Sequence, residues 1–393
     1  MENGEWKMEG GGREDREWES NFQPLTSNLQ AQIRAVVADV FATRDVTVER
    51  ETPLVVRLRG RLLVASEQAY ELVAARLRTL GFTTLFRREE DADVIRAVRG
   101  YIPEAKARPW VAGLLLLATV VTVLYTGMTL GVEDVGARIT LLSGWPFAAG
   151  LLGILLAHEL GHYFVGRSLG VPMSLPYFIP MPLTIFGTMG AFIRMKGPAV
   201  NRRRLLLMAM AGPLAGLAVA IPVLLLGLSL SEIRPEVLRA PEGMIVFREG
   251  NSLLYIALKF LLFGRFLPGG GEDVWLHPLA FAGWAGLFVT GLNLIPAGQL
   301  DGGHIIYTLL GKRAGGLTWV IIGILAGLDI LNYFLYGQFT WSLLVILILI
   351  FGRVHAAPLD DITELDPPRK LLALLMMLVF VLVFVPTPII VLR

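Results

Sequence analysis

From Pro109 onward the chain is a succession of apolar runs, several about as long as the roughly 20 residues a helix needs to cross a bilayer. Inside hydrocarbon each backbone N–H and C=O must be satisfied within the protein, so runs of this length can only be helices. They fall at 109–128, 146–166, 204–229, 277–297, 317–337, 338–352 and 370–390, about seven spans in all. The stretch Leu253–Phe263 is too short to cross, carries Lys259, and is expected to lie on the membrane surface. Composition agrees with this reading. Of 393 residues 54% are hydrophobic and only 17% charged, against about 25% charged in ordinary soluble domains.

The charges gather in the first hundred residues. Residues 1–24, with Gly10-Gly11-Gly12 and Arg13-Glu14-Asp15-Arg16, bury too little to fold and are expected to form a disordered tail. Residues 25–100 read as a small soluble α+β accessory domain. Leu29, Ile33, Val36, Val37 and Val40 recur at helical spacing, Val46–Arg50 and Leu54–Leu58 read as strands, and Ser66 is placed to cap a helix that stops at Gly81. Two more strands are expected at Thr83–Arg87 and Asp93–Val98. Residues 101–312 form the core that carries the chemistry, and residues 313–393 add further C-terminal spans. The expected fold is an α-helical multi-pass membrane protein with a small N-terminal α+β domain.

Basic residues orient the spans. Arg167, Arg194, Lys196, Arg202, Arg203 and Arg204 lie between the second and third spans without one acid, and Arg96, Arg99, Lys106 and Arg108 precede the first. The positive-inside tendency places both groups, and the N-terminal domain, in the cytoplasm, with a prokaryotic cell membrane as the expected location. The N-terminus lacks the basic and apolar regions of a cleaved signal peptide, so the first span is expected to do the targeting. A formal charge of +2 gives no sign of a nucleic-acid partner. The absence of cysteine excludes disulfides and thiolate metal sites.

The second span contains Ala157-His158-Glu159-Leu160-Gly161-His162, an HExxH motif. Histidines four apart share a helical face, so both imidazoles can reach one Zn²⁺, and Glu159 projects beside them as a general base. Ionisable groups at a span centre cost about 2.5–3.5 kcal/mol each on a translocon scale. Three of them within five residues need a compensating partner, and a divalent cation supplies one. A catalytic zinc takes three protein ligands and keeps its fourth position open. Asp301 follows the Pro/Gly-broken run Pro296-Ala297-Gly298 and precedes Gly302-Gly303, which permit close approach. Taken alone it reads as well as a helix cap for Gly302–Leu310, and together with the HExxH it is the candidate third ligand. His277, His304 and His355 lie near span ends and read as interfacial or capping residues. Asp329 and Asn332 read as a helix–helix polar contact.

With these motifs in place, the sequence resembles the site-2 proteases, which pair an intramembrane HExxH with a later NxxPxxxxDG element, here Asn293, Pro296, Asp301 and Gly302. Gly212-Pro213-Leu214-Ala215-Gly216 looks like that family's AGPLAG segment, and Ile185–Phe192 resembles its GTxGA loop. The similarity is greatest to plastid and cyanobacterial members with a soluble N-terminal domain, whose Gly-Asn-Leu-Arg signature is partly echoed by Leu58-Arg59-Gly60-Arg61-Leu62. The resemblance implies one Zn²⁺ per chain held by His158, His162 and Asp301, with Glu159 as general base and Asn293 polarising the scissile carbonyl. The implied substrate is a transmembrane protein cut in or near its membrane segment, within the lipid bilayer. Gly187, Thr188, Met189 and Gly190 are candidates for holding the unwound substrate as an added strand. A hairpin that plugs the cytoplasmic entrance is the alternative. An ion-coupled transporter would show paired acids or inverted repeats, and neither is present in the sequence. A catalytically dead relative would not keep an intact HExxH with Asp301, and a prenyl-protein type of zinc protease would use a late Glu rather than Asp-Gly-Gly.

Overall fold

The computed structural model describes residues 28–49, 53–100, 108–130, 141–237, 246–351 and 357–392. The tail expected over 1–24 and His355 lie outside them. The chain divides into two compact units, one built from the part before Pro103 together with Leu359–Thr363, the other from the remainder.

In the first unit, helix α1 (28–37) precedes strands β1 (Phe41–Glu49) and β2 (Val55–Leu62), helix α2 (Ser66–Thr79), and strands β3 (Phe82–Glu89) and β4 (Ala92–Arg99). The strands form one antiparallel sheet in the order β1-β2-β4-β3. Helix α2 buries Ala69, Tyr70, Val73 and Leu77, the three- and four-residue spacing of a single face. Tyr70 packs edge-on to Phe86 at 5.2 Å, and Ile33, Val37, Val56, Leu58 and Val94 are sealed in the same core. One expectation needs correcting. Ser66 is the first residue of α2 rather than its cap; Ala65 takes the cap position, with no side-chain bond.

The second unit is mostly helical. Helices α3 (Pro109–Thr129), α4 (Leu141–Ser168), α5 (Arg202–Ser229), α7 (Pro278–Asn293) and α8 (Asp301–Leu310) pack together, and α9 (Ala314–Tyr336), α10 (Ser342–Phe351) and α11 (Pro367–Val383) follow. Among the described residues four helical stretches are long and apolar enough to cross a membrane: Pro109–Thr129, Ser143–Ser168, Arg202–Ser229 and Asp301–Tyr336. The other expected spans contain helices of 16, 10 and 17 residues, α7, α10 and α11. Helix α11 stops at Val383 because the chain turns extended at Phe384, just before Pro386 and Pro388. Along α3, Trp110, Leu114, Leu117, Val121 and Tyr125 are all more than half exposed and form one stripe, the surface a helix offers to lipid.

Between α4 and α5 lies a hairpin of β5 (Tyr177–Pro180) and β6 (Thr188–Phe192). Between α5 and α7 come two short strands, β7 (Glu232–Pro235) and β8 (Val246–Glu249), then helix α6 (Leu253–Phe263) and strand β9 (Glu272–Trp275). Strand β7 pairs with β9, and β8 with the C-terminal β10 (Ile389–Leu392). The helix expected over 253–263 has those bounds, yet Lys259 does not reach toward a surface. It is fully buried, 3.8 Å from Asp273 and 4.5 Å above the Tyr255 ring. Burial lowers its pKa, and burial likewise pushes the neighbouring Glu249 carboxyl up to about 7. Asp329 also has a definite task. Its carboxylate accepts from the backbone N–H groups of Thr340 and Trp341 and from the Ser342 hydroxyl, tying α9 to the start of α10. Asn332 accepts from the Thr387 hydroxyl at 2.7 Å.

Candidate metal centre

His158 and His162 project from the C-terminal half of α4 and are 3% and 7% exposed. Helix α7 ends at Asn293 and α8 begins at Asp301, so the irregular stretch between them delivers an amide at one helix end and a carboxylate at the next helix start. Gly298 takes a left-handed φ of +61° within that stretch. A side chain at Gly302 would place its Cβ 1.9 Å from the Leu294 carbonyl oxygen, so only glycine lets α8 start so close to the end of α7.

These elements bring three donor atoms together. The Nε2 atoms of His158 and His162 are 3.3 Å apart, and Asp301 Oδ2 lies 3.3 Å from the first and 3.2 Å from the second. A tetrahedral ion with bonds of about 2.0–2.1 Å has ligand–ligand edges of about 3.3–3.4 Å. The triangle therefore fits such an ion with little change, and its donor set of two imidazoles and one carboxylate suits zinc. Three ligands leave a fourth position open.

The surroundings hold the donors in place. His162 Nδ1 lies 2.8 Å from the Met208 carbonyl of α5, which only an N–H can satisfy, so Nε2 keeps its lone pair for a metal. Pro213 offers no N–H to the Ala209 carbonyl, which loosens α5 one turn beyond Met208. Gly212 makes the notch in which the ring sits; a Cβ there would fall 2.0 Å from His162 Nε2, and one at Gly216 3.2 Å from His158 Nδ1. Helices α4 and α5 approach backbone to backbone, since a Cβ at Gly161 would meet the Ala211 carbonyl at 2.4 Å. Met208 was not legible in the sequence, because its contribution is a backbone carbonyl. The Gly212-Pro213 pair within an apolar helix was the one visible sign of the notch.

Glu159 is 4% exposed, and its Oε2 has no hydrogen-bond partner among the described residues. A buried carboxylate oxygen left bare is costly, which points to a group that the site takes up. Asn293 Nδ2 lies 3.2 Å from His158 Nε2, at the rim of the triangle. Of the other sequence candidates, Gly187, Thr188, Met189 and Gly190 fall on the β5–β6 hairpin. Thr188 is buried, donates to the Ile179 carbonyl and accepts from the Gly190 N–H, while Met189 is 47% exposed. Gly187 lies against α3, and Phe186 stacks on Phe281 of α7 at 6.0 Å. No hydrogen bond joins these four residues to the donor triangle among the described residues. His304 stands one turn along α8 and is not one of the converging donors.

Residues 146–325 match the model of peptidase family M50. The chain is similar to the probable zinc metalloproteases EGY2 and EGY1, chloroplastic, of Arabidopsis thaliana, at 36% identity over 250 residues and 34% over 251. It is also similar to the probable zinc metalloprotease EGY1, chloroplastic, of Oryza sativa subsp. japonica, at 32% over 251 residues. The three alignments take in 63%, 61% and 62% of this chain but 43%, 42% and 41% of the relatives, so the chain spans less than half the length of the curated relatives it matches. No solved structure matches. Residues 146–325, the segment that is similar to peptidase family M50, carry all three donors together with Glu159 and Asn293.

Proposed function

We propose that this chain is an intramembrane zinc metalloendopeptidase that hydrolyses peptide bonds in or near the membrane segments of other proteins. The observation that carries the reading is the buried triangle of His158, His162 and Asp301 beside the bare carboxylate oxygen of Glu159. Zinc held there would polarise the scissile carbonyl and acidify the attacking water. Glu159 takes the proton of that water and returns it to the leaving amine. The Asn293 amide donates toward the oxygen that gains charge. Met208 keeps the His162 ring in the tautomer that ligates. Low exposure of the histidines and Glu159 excludes bulk water, so the proton stays on Glu159 between the two transfers.

The substrate is a transmembrane helix that has unwound at the cleavage point, because a helical carbonyl is already hydrogen-bonded. Strand β6 belongs to a two-stranded sheet, so an edge is available for an extended peptide at Thr188–Phe192. The decisive experiment reconstitutes the full chain in vesicles with a panel of single-span peptides. Cleavage is expected to vanish on chelation and to return when Zn²⁺ is added. A zinc-replete preparation that cuts none of the panel would sink the reading.

About seven spans, with the N-terminal unit on the cytoplasmic side of a prokaryotic cell membrane, is the topology that the basic residues favour. The cysteine-free chain makes this easy to probe. An impermeant thiol reagent added outside sealed cells is expected to label Glu232→Cys and to spare Arg61→Cys. Labelling at position 61 would reverse the orientation.

A further inference from the structure

Strand β3 is an outer strand of its sheet, so one edge carries backbone groups with no strand to pair with in the N-terminal segment. That edge is covered by Leu359–Thr363, a stretch that follows α10 in the chain and precedes α11. The Phe86 N–H donates to the Leu359 carbonyl at 2.8 Å, and the Asp361 N–H donates to the Phe86 carbonyl at 3.1 Å. These two bonds are the pattern of a parallel bridge between Phe86 and Asp360. Arg87 Nη1 adds a bond to the same Leu359 carbonyl at 2.9 Å, across 272 positions of sequence. At the far end of the stretch the Thr363 hydroxyl meets the Ser66 hydroxyl at the start of α2.

The stretch buries itself deeply for its size. Asp360 is 0% exposed, Thr363 4%, and Asp361 and Ile362 8% each. It also satisfies its own buried acid. The Asp360 carboxylate accepts from the Ile362 and Thr363 N–H groups at 3.0 and 3.2 Å and from the Thr363 hydroxyl. The segment thus carries its own Asp–Thr turn, while the unit supplies a strand edge, an arginine and a serine. This division of labour is that of a peptide added to a sheet edge, where backbone bonds hold the chain and side chains select it.

We propose that the N-terminal unit is a peptide-binding module that docks its ligand on a sheet edge, that this ligand is a short peptide of the form Leu-Asp-x-Ile-Thr closed by an Asp–Thr turn, and that residues 359–363 are this ligand held in cis. Phe86 reads the backbone, Arg87 the carbonyl before the first Asp, and Ser66 the closing Thr. A cis segment competes at an effective concentration on the order of millimolar. The same sequence from another polypeptide therefore gains the edge only when the cis copy is weakened.

Two measurements on the full chain in detergent test this. The double substitution Ser66→Cys, Thr363→Cys introduces the only two thiols in the protein, and hydroxyls in contact are close enough for their replacements to be bridged. An intrachain disulfide is expected under mild oxidation, and its absence would overturn the placement. In the second, a fluorescent peptide of sequence 357–366 is titrated against the native chain and against Asp360→Ala, Ile362→Asp. Saturable binding is expected to the variant, at least tenfold tighter than to the native chain, and to be lost when Val replaces the peptide's Thr. If the variant keeps a protease-resistant N-terminal unit yet binds no peptide, residues 359–363 are a fixed part of the fold and the proposal fails. Loss of that protease-resistant unit would count against it equally, because an exchangeable ligand does not hold its binding module folded.

Discussion

Glu159→Gln is expected to lower peptide cleavage by about 10²–10⁴-fold, the range that positioned acid–base catalysis contributes, while the protein keeps one zinc per chain. The substitution changes almost nothing except basicity. Glutamine has the shape of glutamate, so the packing around this 4% exposed side chain is retained, and Glu159 is not one of the three converging donors. On the proposed mechanism, what disappears is the ability to accept a proton from the attacking water and hand it to the leaving amine. Metal analysis beside the cleavage rate of the same preparation separates the possibilities. A Gln variant with full metal and more than a tenth of the native rate would show that the base lies elsewhere. A variant depleted of metal would show that Glu159 is a ligand.

Asp301→Ala is expected to be metal-poor and inactive, whereas His304→Ala keeps its metal and retains part of its rate. The two residues lie about one turn apart at the start of α8, and histidine is by itself the commoner zinc ligand. Geometry separates them. Asp301 Oδ2 stands 3.2–3.3 Å from both imidazole nitrogens, and removing it opens the triangle to two neutral donors. A carboxylate also offsets part of the ion's charge in a medium that penalises net charge. Loss of a neighbouring group that only orients a ligand typically costs 10–100-fold in affinity or activity, which is the upper limit expected for His304→Ala. Zinc-replete Asp301→Ala beside zinc-free His304→Ala would exchange their roles.

Local order was readable in the sequence wherever a short period encodes it. His158 and His162 face one another because four residues make about one helical turn, and their rings lie 5.0 Å apart within α4. The helix expected over 66–80 is Ser66–Thr79, and the strands expected at 83–87 and 93–98 lie within β3 and β4. Both follow from apolar positions that recur at fixed spacing. Length and hydropathy likewise marked the four membrane-length helical stretches. Asp301, 139 positions from His162, was legible only as part of a motif, since no periodicity links residues so far apart. Packing alone decided the rest. Whether Asp301 closes the triangle, whether the Met208 carbonyl reaches His162, and whether Gly212 leaves room for that ring all depend on how closely α4, α5 and α8 approach. Asp329, read as a contact between helices, does join α9 to the start of α10, and only packing fixed its partners as Thr340, Trp341 and Ser342. The stretch 253–263 was expected on the membrane surface, yet its Lys259 is buried against Asp273 and Tyr255. Residues 359–363 carry no strand pattern at all, and their place beside β3 is set by a free sheet edge far away in the chain. Sequence spacing reports the neighbours that one helix or strand creates, whereas a backbone carbonyl, a missing Cβ or an open edge acts only once two distant segments have been brought together.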